Sequence, residues 1–307
     1  MSDPLTEVVQ LLKPRAVFAN LISGKGDYAV RYAEYGQPSF CIMLKGDCRL
    51  AVDGHEEVTL AAGDFVLLPS TPPFTISSFT PVPLPVHIDP KAVPGGDGER
   101  RYGVPGGEPD MLSLGGAFLF DCADPTLLVS LLPAVVHVRG SARLAQLVQM
   151  VGEEYLHPRP GHEFMLSRLV GMMLIEAMRS TTAGSAPPGL LRGLGDERLA
   201  LALRQMHARV DHPWTVAQLA NAAALSRSAF FDRFTRAIGV APMEYLLSWR
   251  MELAKDLLRQ GELSIADVAE RVGYASTSAF STAFSRHMGQ SPRQYARSMP
   301  ADRMPAP

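Results

Sequence analysis

The sequence predicts an α+β protein of several domains: a β-rich N-terminal domain, a helical middle segment and an all-α C-terminal domain with two helix-turn-helix motifs. Three observations predict this. Short apolar runs separated by Gly and Pro fill residues 17–84, helical periodicity begins at Ser141, and the stretch from Ser264 to Tyr295 repeats an earlier one. With 307 residues, the chain is long enough for two domains of ordinary size.

These patterns divide the chain into four parts. An amphipathic patch from Leu5 to Leu12 predicts a short helix at the start of the first part. A stretch rich in Gly, Ala and Pro precedes the C-terminal domain and is typical of a linker. The predicted parts are a β-rich domain at 1–138, a helical dimerisation segment at 139–182, a linker at 183–192 and the all-α domain at 193–300.

The β-rich domain is predicted to be a small sandwich or barrel. Two apolar runs around Lys45-Gly46-Asp47 predict a hairpin, and Gly63-Asp64 predicts a further turn. Residues 89–110 are rich in Gly, Pro and charged side chains. They predict a mobile loop, which is either a lid or a solvated insertion.

Two helices are predicted in the middle segment. SARLAQLVQMVGEEYL is amphipathic, whereas FMLSRLVGMMLIEAMRS is apolar over more than one face. A helix that is apolar on several sides is buried. Two alternatives account for its burial, the interface of a homodimer or packing onto the β-rich domain.

The C-terminal domain contains an internal repeat. Two helix-turn-helix motifs are predicted at about 213–234 and 262–285. Residues of the same type recur at an offset of fifty: Ser226, Phe230, Phe234, Gly239, Pro242 and Tyr245 return as Ser276, Phe280, Phe284, Gly289, Pro292 and Tyr295.

Local signals define the second motif. Ser264 and Asp267 have the spacing of a capping box, and Ser276 is placed to cap the next helix. Gly273 permits the turn between the helices because it adopts positive φ without steric cost. Phe280 and Phe284 stand four residues apart, so both point to one face of the helix, which is the core face.

The outward faces of these helices are typical of DNA recognition. A helix of this kind fits the major groove, where its N-terminal side chains reach base edges, while arginines nearby contact phosphates. The predicted base-facing residues are Arg227, Ser228, Phe231, Asp232, Thr277, Ser278, Ser281 and Thr282. The predicted phosphate contacts are Arg233, Arg236, Arg286 and Arg293.

The segment between the motifs, Pro242 to Gln260, predicts one long helix. Nineteen residues span roughly 28 Å at 1.5 Å per residue. One turn of DNA is about 34 Å, so the two recognition helices are expected to enter successive major grooves.

The charge distribution permits this function. The whole chain has a net charge of −2, but residues 190–307 hold fifteen Lys and Arg against eleven Asp and Glu. Residues 1–189 hold fourteen against twenty. The basic excess therefore lies in the part that carries the motifs.

Leu191 to Arg297 resembles the DNA-binding domain of the AraC/XylS family of bacterial transcription regulators. The resemblance rests on IADVAERVGYASTSAFSTAFSRHMGQSP and on PWTVAQLA, SRSAFFDRF and PMEYLLSWRM before it. It implies sequence-specific binding to double-stranded promoter DNA, often as a homodimer, and contact with RNA polymerase if the protein is an activator.

The N-terminal part is similar to the cupin-type sensor domain of one AraC subgroup. The similarity lies in PLTEVVQLLKPRA, FCIMLKG and LAAGDFVLLPSTPPF. It implies a cupin-like β-barrel that binds a small-molecule effector. The alternative is a metal-dependent cupin enzyme fused to a DNA-binding domain.

The residues favour a sensor over an enzyme. Metal-dependent cupins gather His and Glu side chains on one ion. The positions that resemble those ligands hold Cys41 and Phe74, and Phe cannot bind a metal. His55 and His87 do not fall on the ligand spacing, and His137 lies in an apolar run typical of a core histidine. We expect neither a metal nor another cofactor, and no catalytic residue.

Several residues are candidates for the effector site. Arg139 and Arg143 are four apart, and on one helix they would grip a phosphate-bearing effector such as a cyclic dinucleotide, or simply form a solvated face. Cys41 and Cys48 raise a redox switch as a further alternative. The candidates for the pocket are Phe40, Cys41, Met43, Phe65, Phe74, Arg139 and Arg143, and the aromatic ones have ordinary core packing as their alternative.

The sequence also predicts the compartment. No apolar run is long enough to span a bilayer, and the N-terminus has neither the basic nor the apolar part of a signal peptide. Cys41, Cys48 and Cys122 form no metal-binding pattern. These features predict the reducing cytoplasm of a bacterium, with no membrane partner.

Overall fold

A computed structural model describes residues 3–92, 98–120, 132–181 and 188–298. The described residues form two compact units. The β-rich unit holds those between 14 and 181, and the helical unit holds 3–13 and 188–298. Residues 183–187 of the predicted linker, residues 299–300 of the predicted C-terminal domain and Cys122 lie outside the described residues.

The β-rich unit is built from two sheets. One has the strand order β11-β6-β3-β10-β1-β9 and the other has the order β5-β4-β7-β2-β8. The strands are β1 (Pro14–Lys25), β2 (Ala29–Tyr32), β3 (Ser39–Lys45), β4 (Asp47–Val52), β5 (Val58–Ala61), β6 (Phe65–Leu68), β7 (Phe74–Ser77), β8 (Val86–Ile88), β9 (Glu99–Gly103), β10 (Met111–Phe120) and β11 (Val136–Val138).

The predicted β-rich domain is therefore present, as two separate sheets and not as one closed barrel within the described strands. Side chains between the sheets form the core, among them Met43, Leu50, Leu60 and Ile76. The hairpin predicted around Gly46 is wrong. β3 and β4 follow each other in the chain but pair in different sheets, because both can bury their apolar faces in the space between the sheets.

Two helices cover the six-stranded sheet on its other face. They are α2 (Ala142–Leu156), which packs on β3, and α3 (His162–Thr181), which packs on β1, β6 and β11. All residues of β6 are buried because both of its faces are covered. The packing alternative for α3 is thus confirmed for one face of the helix. Its opposite side leaves Phe164, Met165 and Met172 exposed.

The helical unit combines the first helix of the described chain with the helices of its C-terminal part. The helices are α1 (Pro4–Leu12), α4 (Leu190–Leu194), α5 (Glu197–Ala208), α6 (Val216–Ala222), α7 (Arg227–Ile238), α8 (Pro242–Gln260), α9 (Ile265–Arg271), α10 (Thr277–Met288) and α11 (Pro292–Ser298). α1 has the amphipathic form predicted for it and packs against α5. It belongs to the helical unit, although it stands at the start of the segment predicted as the sensor domain.

The two helix-turn-helix motifs form as predicted. They consist of α6 with α7 and of α9 with α10, and α8 joins them with the predicted bounds. Ser226 and Ser276 cap the recognition helices α7 and α10 with their side chains. Ser264 and Asp267 form the predicted capping box at the start of α9.

The turn of the second motif is also where the motifs meet. Gly273 has a φ of +81°, as predicted for this turn, and a Cβ there would lie 2.7 Å from the carbonyl oxygen of Asp211. Asp211 follows α5, beside the first motif. Arg250 of α8 donates to the carbonyl oxygens of Val210 and His212. A close backbone contact and a half-buried arginine thus fix one motif against the other.

Candidate nucleic-acid interface and cavity

The first recognition helix presents the residues predicted to face bases. Arg227, Ser228, Phe231 and Asp232 are exposed on α7, and with Val216 of α6 they border a shallow depression. Phe231 is 43% exposed, while Phe230 is fully buried. An exposed aromatic side chain beside an arginine is suited to contact a thymine methyl group and a guanine edge together.

The second recognition helix presents a smaller and less charged surface. Thr277, Ser278 and Thr282 are exposed on α10, and Ser281 is half-buried. Phe280 and Phe284 are fully buried beneath them, with ring centroids 5.5 Å apart. Hydroxyl groups both donate and accept hydrogen bonds, so this face can contact several bases without the selectivity of an arginine.

The predicted phosphate contacts fall into two groups. Arg236, Arg286 and Arg293 are exposed. Arg233 is paired through its Nε with Asp196, the N-cap residue of α5. Burial opposes ionisation of Asp196, but Arg233 and two backbone N–H groups outweigh it and hold the pKa of that carboxyl below its usual value. Arg233 therefore positions α7 against α5, while half of its side chain stays accessible.

A buried network lies behind the first motif. Nδ1 of His207 is 2.9 Å from Oε2 of Glu7, and Nε2 is 2.7 Å from the hydroxyl of Tyr245. The ring of Trp249 lies 4.4 Å from that of His207. Because a carboxylate only accepts, Nδ1 carries a proton. Burial raises the pKa of Tyr245, and Glu7 raises it further, so the hydroxyl stays protonated.

A cavity of about 330 Å³ lies between the two sheets of the β-rich unit. Small residues on adjacent strands create it. Ser39 and Cys41 of β3 and Gly115 and Ala117 of β10 line it from the six-stranded sheet. Most of the opposite wall is apolar and is formed by Leu50, Leu60, Phe74, Ile76 and Ile88. A volume of this size is at the lower end of small-molecule sites.

The structure brings only part of the predicted pocket together. Phe40, Cys41 and Phe74 line the cavity, and the ring of Phe74 stacks on Tyr32 at 4.8 Å. Met43 and Phe65 do not line it. Met43 is in the core between the sheets, and the ring of Phe65 packs against Phe40.

The two predicted arginines lie away from the cavity. Arg139 donates to the carbonyl oxygen of Thr59 and lies 3.3 Å from Asp64, whereas Arg143 lies 3.3 Å from Glu176. The idea that both stand on one helix is wrong, because Ser141 caps α2 and the helix begins after Arg139. Each arginine faces its own carboxylate.

The cavity also contains polar groups that sequence reasoning missed. Arg100 of β9 and Tyr32 of β2 both line it. Burial raises the pKa of Tyr32, and a hydrogen bond with Tyr102 adds to this, while the charge of Arg100 acts in the opposite direction. β9 lies in the stretch predicted to be a loop. Its pairing with β1, about eighty residues away in the chain, is what makes it a strand.

The cysteines lack the surroundings of reactive thiols. Burial raises the pKa of Cys41 to about 11. Burial also raises the pKa of Cys48, which lies in the core. A neutral thiol is a poor nucleophile, so the redox alternative finds no support in these two residues.

Within the described residues, no group of three or more His, Cys, Asp and Glu side chains is placed to hold a metal ion. His137 is bound to Asp64 at 2.8 Å, in agreement with the prediction of a satisfied histidine. His55 and His87 are exposed on the surface. Phe74 lines the cavity where the resemblance to metal-dependent cupins would place a ligand.

Comparisons of the sequence with known families give a match for the β-rich part and a match for the helical part of the chain. Residues 3–183 match the family described as Cupin, and residues 219–298 match the family described as Helix-turn-helix domain. An AraC-like transcription regulator of Streptomyces lividans is 37% identical over 303 residues, which is 96% of this chain and 98% of that protein. The chain belongs to the AraC family of transcription regulators.

Further relatives of this AraC-family chain are also regulators by name. An AraC-like transcription regulator of Streptomyces antibioticus is 37% identical over 309 residues, covering 96% of this chain and 98% of that protein. The HTH-type transcriptional regulator AlkR of Acinetobacter baylyi is 34% identical over 175 residues, covering 55% and 57%. The AraC-family chain is thus a DNA-binding transcription regulator with a cupin-like N-terminal domain. In its described part, no helix is both long and apolar enough to cross a membrane.

Proposed function

We propose that this regulator binds double-stranded promoter DNA by placing α7 and α10 in successive major grooves. The observation that carries the proposal is the pair of exposed polar faces on two capped helices, held by one connecting helix of 19 residues. A helix of that length, roughly 28 Å, is close to the spacing of successive major grooves.

The two helices have different roles in this proposal. Arg227 reads a guanine through two parallel hydrogen bonds, and Ser228, Phe231 and Asp232 contact its neighbours. In the described residues, Arg227 has no ion pair that would have to break first. Thr277, Ser278, Ser281 and Thr282 read bases more loosely from the second helix. Arg236, Arg286 and Arg293 contact phosphates, and so does Arg233 with the accessible part of its side chain.

The cavity between the sheets is the proposed effector site. Phe40, Cys41 and Phe74 line it. Phe74 stands where metal-dependent cupins have a metal ligand, which supports a sensor and not an enzyme. An effector would act by binding one arrangement of the protein more tightly than another, which shifts the population of the DNA-binding form. No catalytic step is part of this proposal.

The exposed side of α3 supports a homodimer. Phe164 is 67% exposed, Met165 46% and Met172 43%, which are large apolar surfaces on one helix. Two copies that join these surfaces would present four recognition helices to a repeated operator. If the regulator activates transcription, it also contacts RNA polymerase. It acts in the bacterial cytoplasm.

A mobility-shift titration tests DNA binding. Purified protein is titrated against fragments from the promoter region next to its own coding sequence, at low and at physiological salt. We expect a shift whose affinity falls steeply as salt rises, because phosphate contacts release counterions. If no fragment from this region shifts at low salt, the proposed function is wrong.

A further inference from the structure

Among the described residues that line the cavity in the β-rich unit, Arg100 is the charged one, and the uncharged polar ones are Asn20, Tyr32, Tyr35, Ser39 and Thr71. Arg100 is paired with Ile22 in the register of β9 and β1, and residues directly opposite in a sheet point to the same face. Ile22 lines the cavity, so Arg100 is on the face of the sheet that looks into it.

Among the described residues, no neighbouring acid neutralises the charge of Arg100. In the residues that the structure describes, no carboxylate lies within ion-pair distance of its guanidinium. The adjacent acid, Glu99, contacts Ser23 and Arg101. The hydroxyl near Arg100 belongs to Tyr32, and burial raises the pKa of that phenol, so it supplies no anion.

The wall formed by the five-stranded sheet is suited to a hydrocarbon body. Leu50, Leu60 and Ile76 are almost fully buried on the far wall, and Gly115 and Ala117 leave space opposite them. The volume corresponds to roughly ten water-sized groups at ~30 Å³ each. An arginine that faces such a space offers two parallel hydrogen bonds to a planar carboxylate.

We propose that the cavity binds a small monocarboxylate with an apolar body, with the carboxylate on Arg100 and the hydrocarbon part between the two sheets. The proposal rests on the assignment of the cavity as the effector site and names the chemical class of the effector. It assigns to Arg100 the role that sequence reasoning gave to Arg139 and Arg143.

Isothermal titration calorimetry on the full-length protein without DNA tests the proposal. The probes are octanoate and 4-ethylbenzoate, each compared with the matched alcohol, 1-octanol or 4-ethylbenzyl alcohol. We expect at least one carboxylate to bind with a dissociation constant of about 1 mM or lower, and at least about tenfold more tightly than its alcohol.

Three variants locate the site, and a fourth serves as the control. Arg100→Leu should weaken carboxylate binding at least about tenfold, which is about 1.4 kcal/mol, and leave alcohol binding within about threefold. Arg100→Lys should restore part of the affinity. Ala117→Leu, which fills the space, should abolish binding of both acid and alcohol. Arg143→Leu, an arginine outside the cavity, should leave all affinities unchanged.

Two results would overturn the proposal. One is that neither carboxylate binds below about 1 mM, and the other is that acid and alcohol bind alike and do not respond to Arg100→Leu. Neither result bears on promoter binding, which the mobility shift measures separately. A protein that shifts its promoter but binds no carboxylate keeps the proposed function and loses this assignment.

Discussion

Nδ1 of His207 lies 2.9 Å from the carboxylate of Glu7, a residue two hundred positions earlier in the chain. The His207 side chain is fully buried, and Tyr245 occupies its other ring nitrogen. A second contact, from Lys13 to Asp256 at 3.2 Å, joins the end of α1 to α8. The N-terminal helix is therefore an integral part of the helical unit.

Replacing Glu7 by Leu should destabilise the helical unit. It leaves the buried N–H of His207 without an acceptor, which costs about 1–3 kcal/mol. Both tryptophans, Trp214 and Trp249, are in this unit, so their fluorescence during urea unfolding reports on it alone. Glu7→Gln keeps an acceptor and should recover most of the loss. Gln10→Leu, at an exposed position of the same helix, is the control, and an equal loss there would contradict the assignment.

Replacing Gly273 by Ala should disturb the contact between the two motifs. The residue has positive φ, and the added Cβ would collide with Asp211 and Arg250. Gly289 is the matched control, because its φ is +71° and no atom lies within 4 Å of an added Cβ. Gly289→Ala should cost about 1 kcal/mol of unfolding free energy from backbone strain alone.

Gly273→Ala should cost about 1–3 kcal/mol beyond that, from overpacking. It should also weaken binding to a promoter site with two half-sites more than binding to a single half-site. Equal unfolding free energies for the two variants, by tryptophan fluorescence, would mean that the contact with Asp211 is unimportant.

The two classes of predicted DNA contact should separate in a salt titration. Arg227→Ala should weaken specific binding by about 1–3 kcal/mol and relax the preference at one base pair. Arg286→Ala should weaken specific and non-specific binding alike and reduce the salt slope by about 1. Fluorescence anisotropy with promoter and scrambled duplexes measures both. The reverse ranking would exchange the roles of the two residues.

A charge on the exposed side of α3 should dissociate the proposed dimer. Met172→Asp places an unpaired carboxylate in the apolar contact and should raise the dimer dissociation constant at least about a hundredfold. Sedimentation velocity over a range of concentrations measures this. Leu84→Asp changes an 85% exposed side chain elsewhere in the β-rich unit and should have no effect. A wild-type monomer at all concentrations would exclude α3 as a stable interface.

The thiol of Cys41 should react slowly at neutral pH. With its pKa near 11, only about one molecule in a thousand carries the thiolate at pH 8, compared with about a quarter for an unperturbed thiol. Alkylation of the folded protein, followed residue by residue with mass spectrometry, should therefore be at least about a hundredfold slower than in urea. The rate should rise about tenfold per pH unit up to pH 11. Fast alkylation at pH 7 would revive the redox switch.

The helical unit was predictable because its signals are local. The capping box of Ser264 and Asp267, the turn at Gly273 and the paired phenylalanines all act within a few residues. The turn of the first motif was harder to predict, because the residue with positive φ (51°) there is Ala224 and not a glycine.

The β-rich unit depends on distant pairings that a sequence pattern does not contain. Arg100 escaped prediction because β9 becomes a strand only by pairing with β1, and its Gly- and Pro-rich surroundings are typical of a loop. The apolar face of α1 predicted burial but not its partner. The choice of α5, more than 180 residues later, depends on the folded chain.

The place of α1 also matters while the protein is being made. Its apolar residues leave the ribosome early, but α5, the helix that packs against it, is completed only when residue 208 has emerged. Synthesis at about 5–20 residues per second leaves this face uncovered for about ten seconds or longer. During that time the β-rich unit can fold while α1 still lacks its partner helix. The apolar face of α1 is then available for a chaperone to bind.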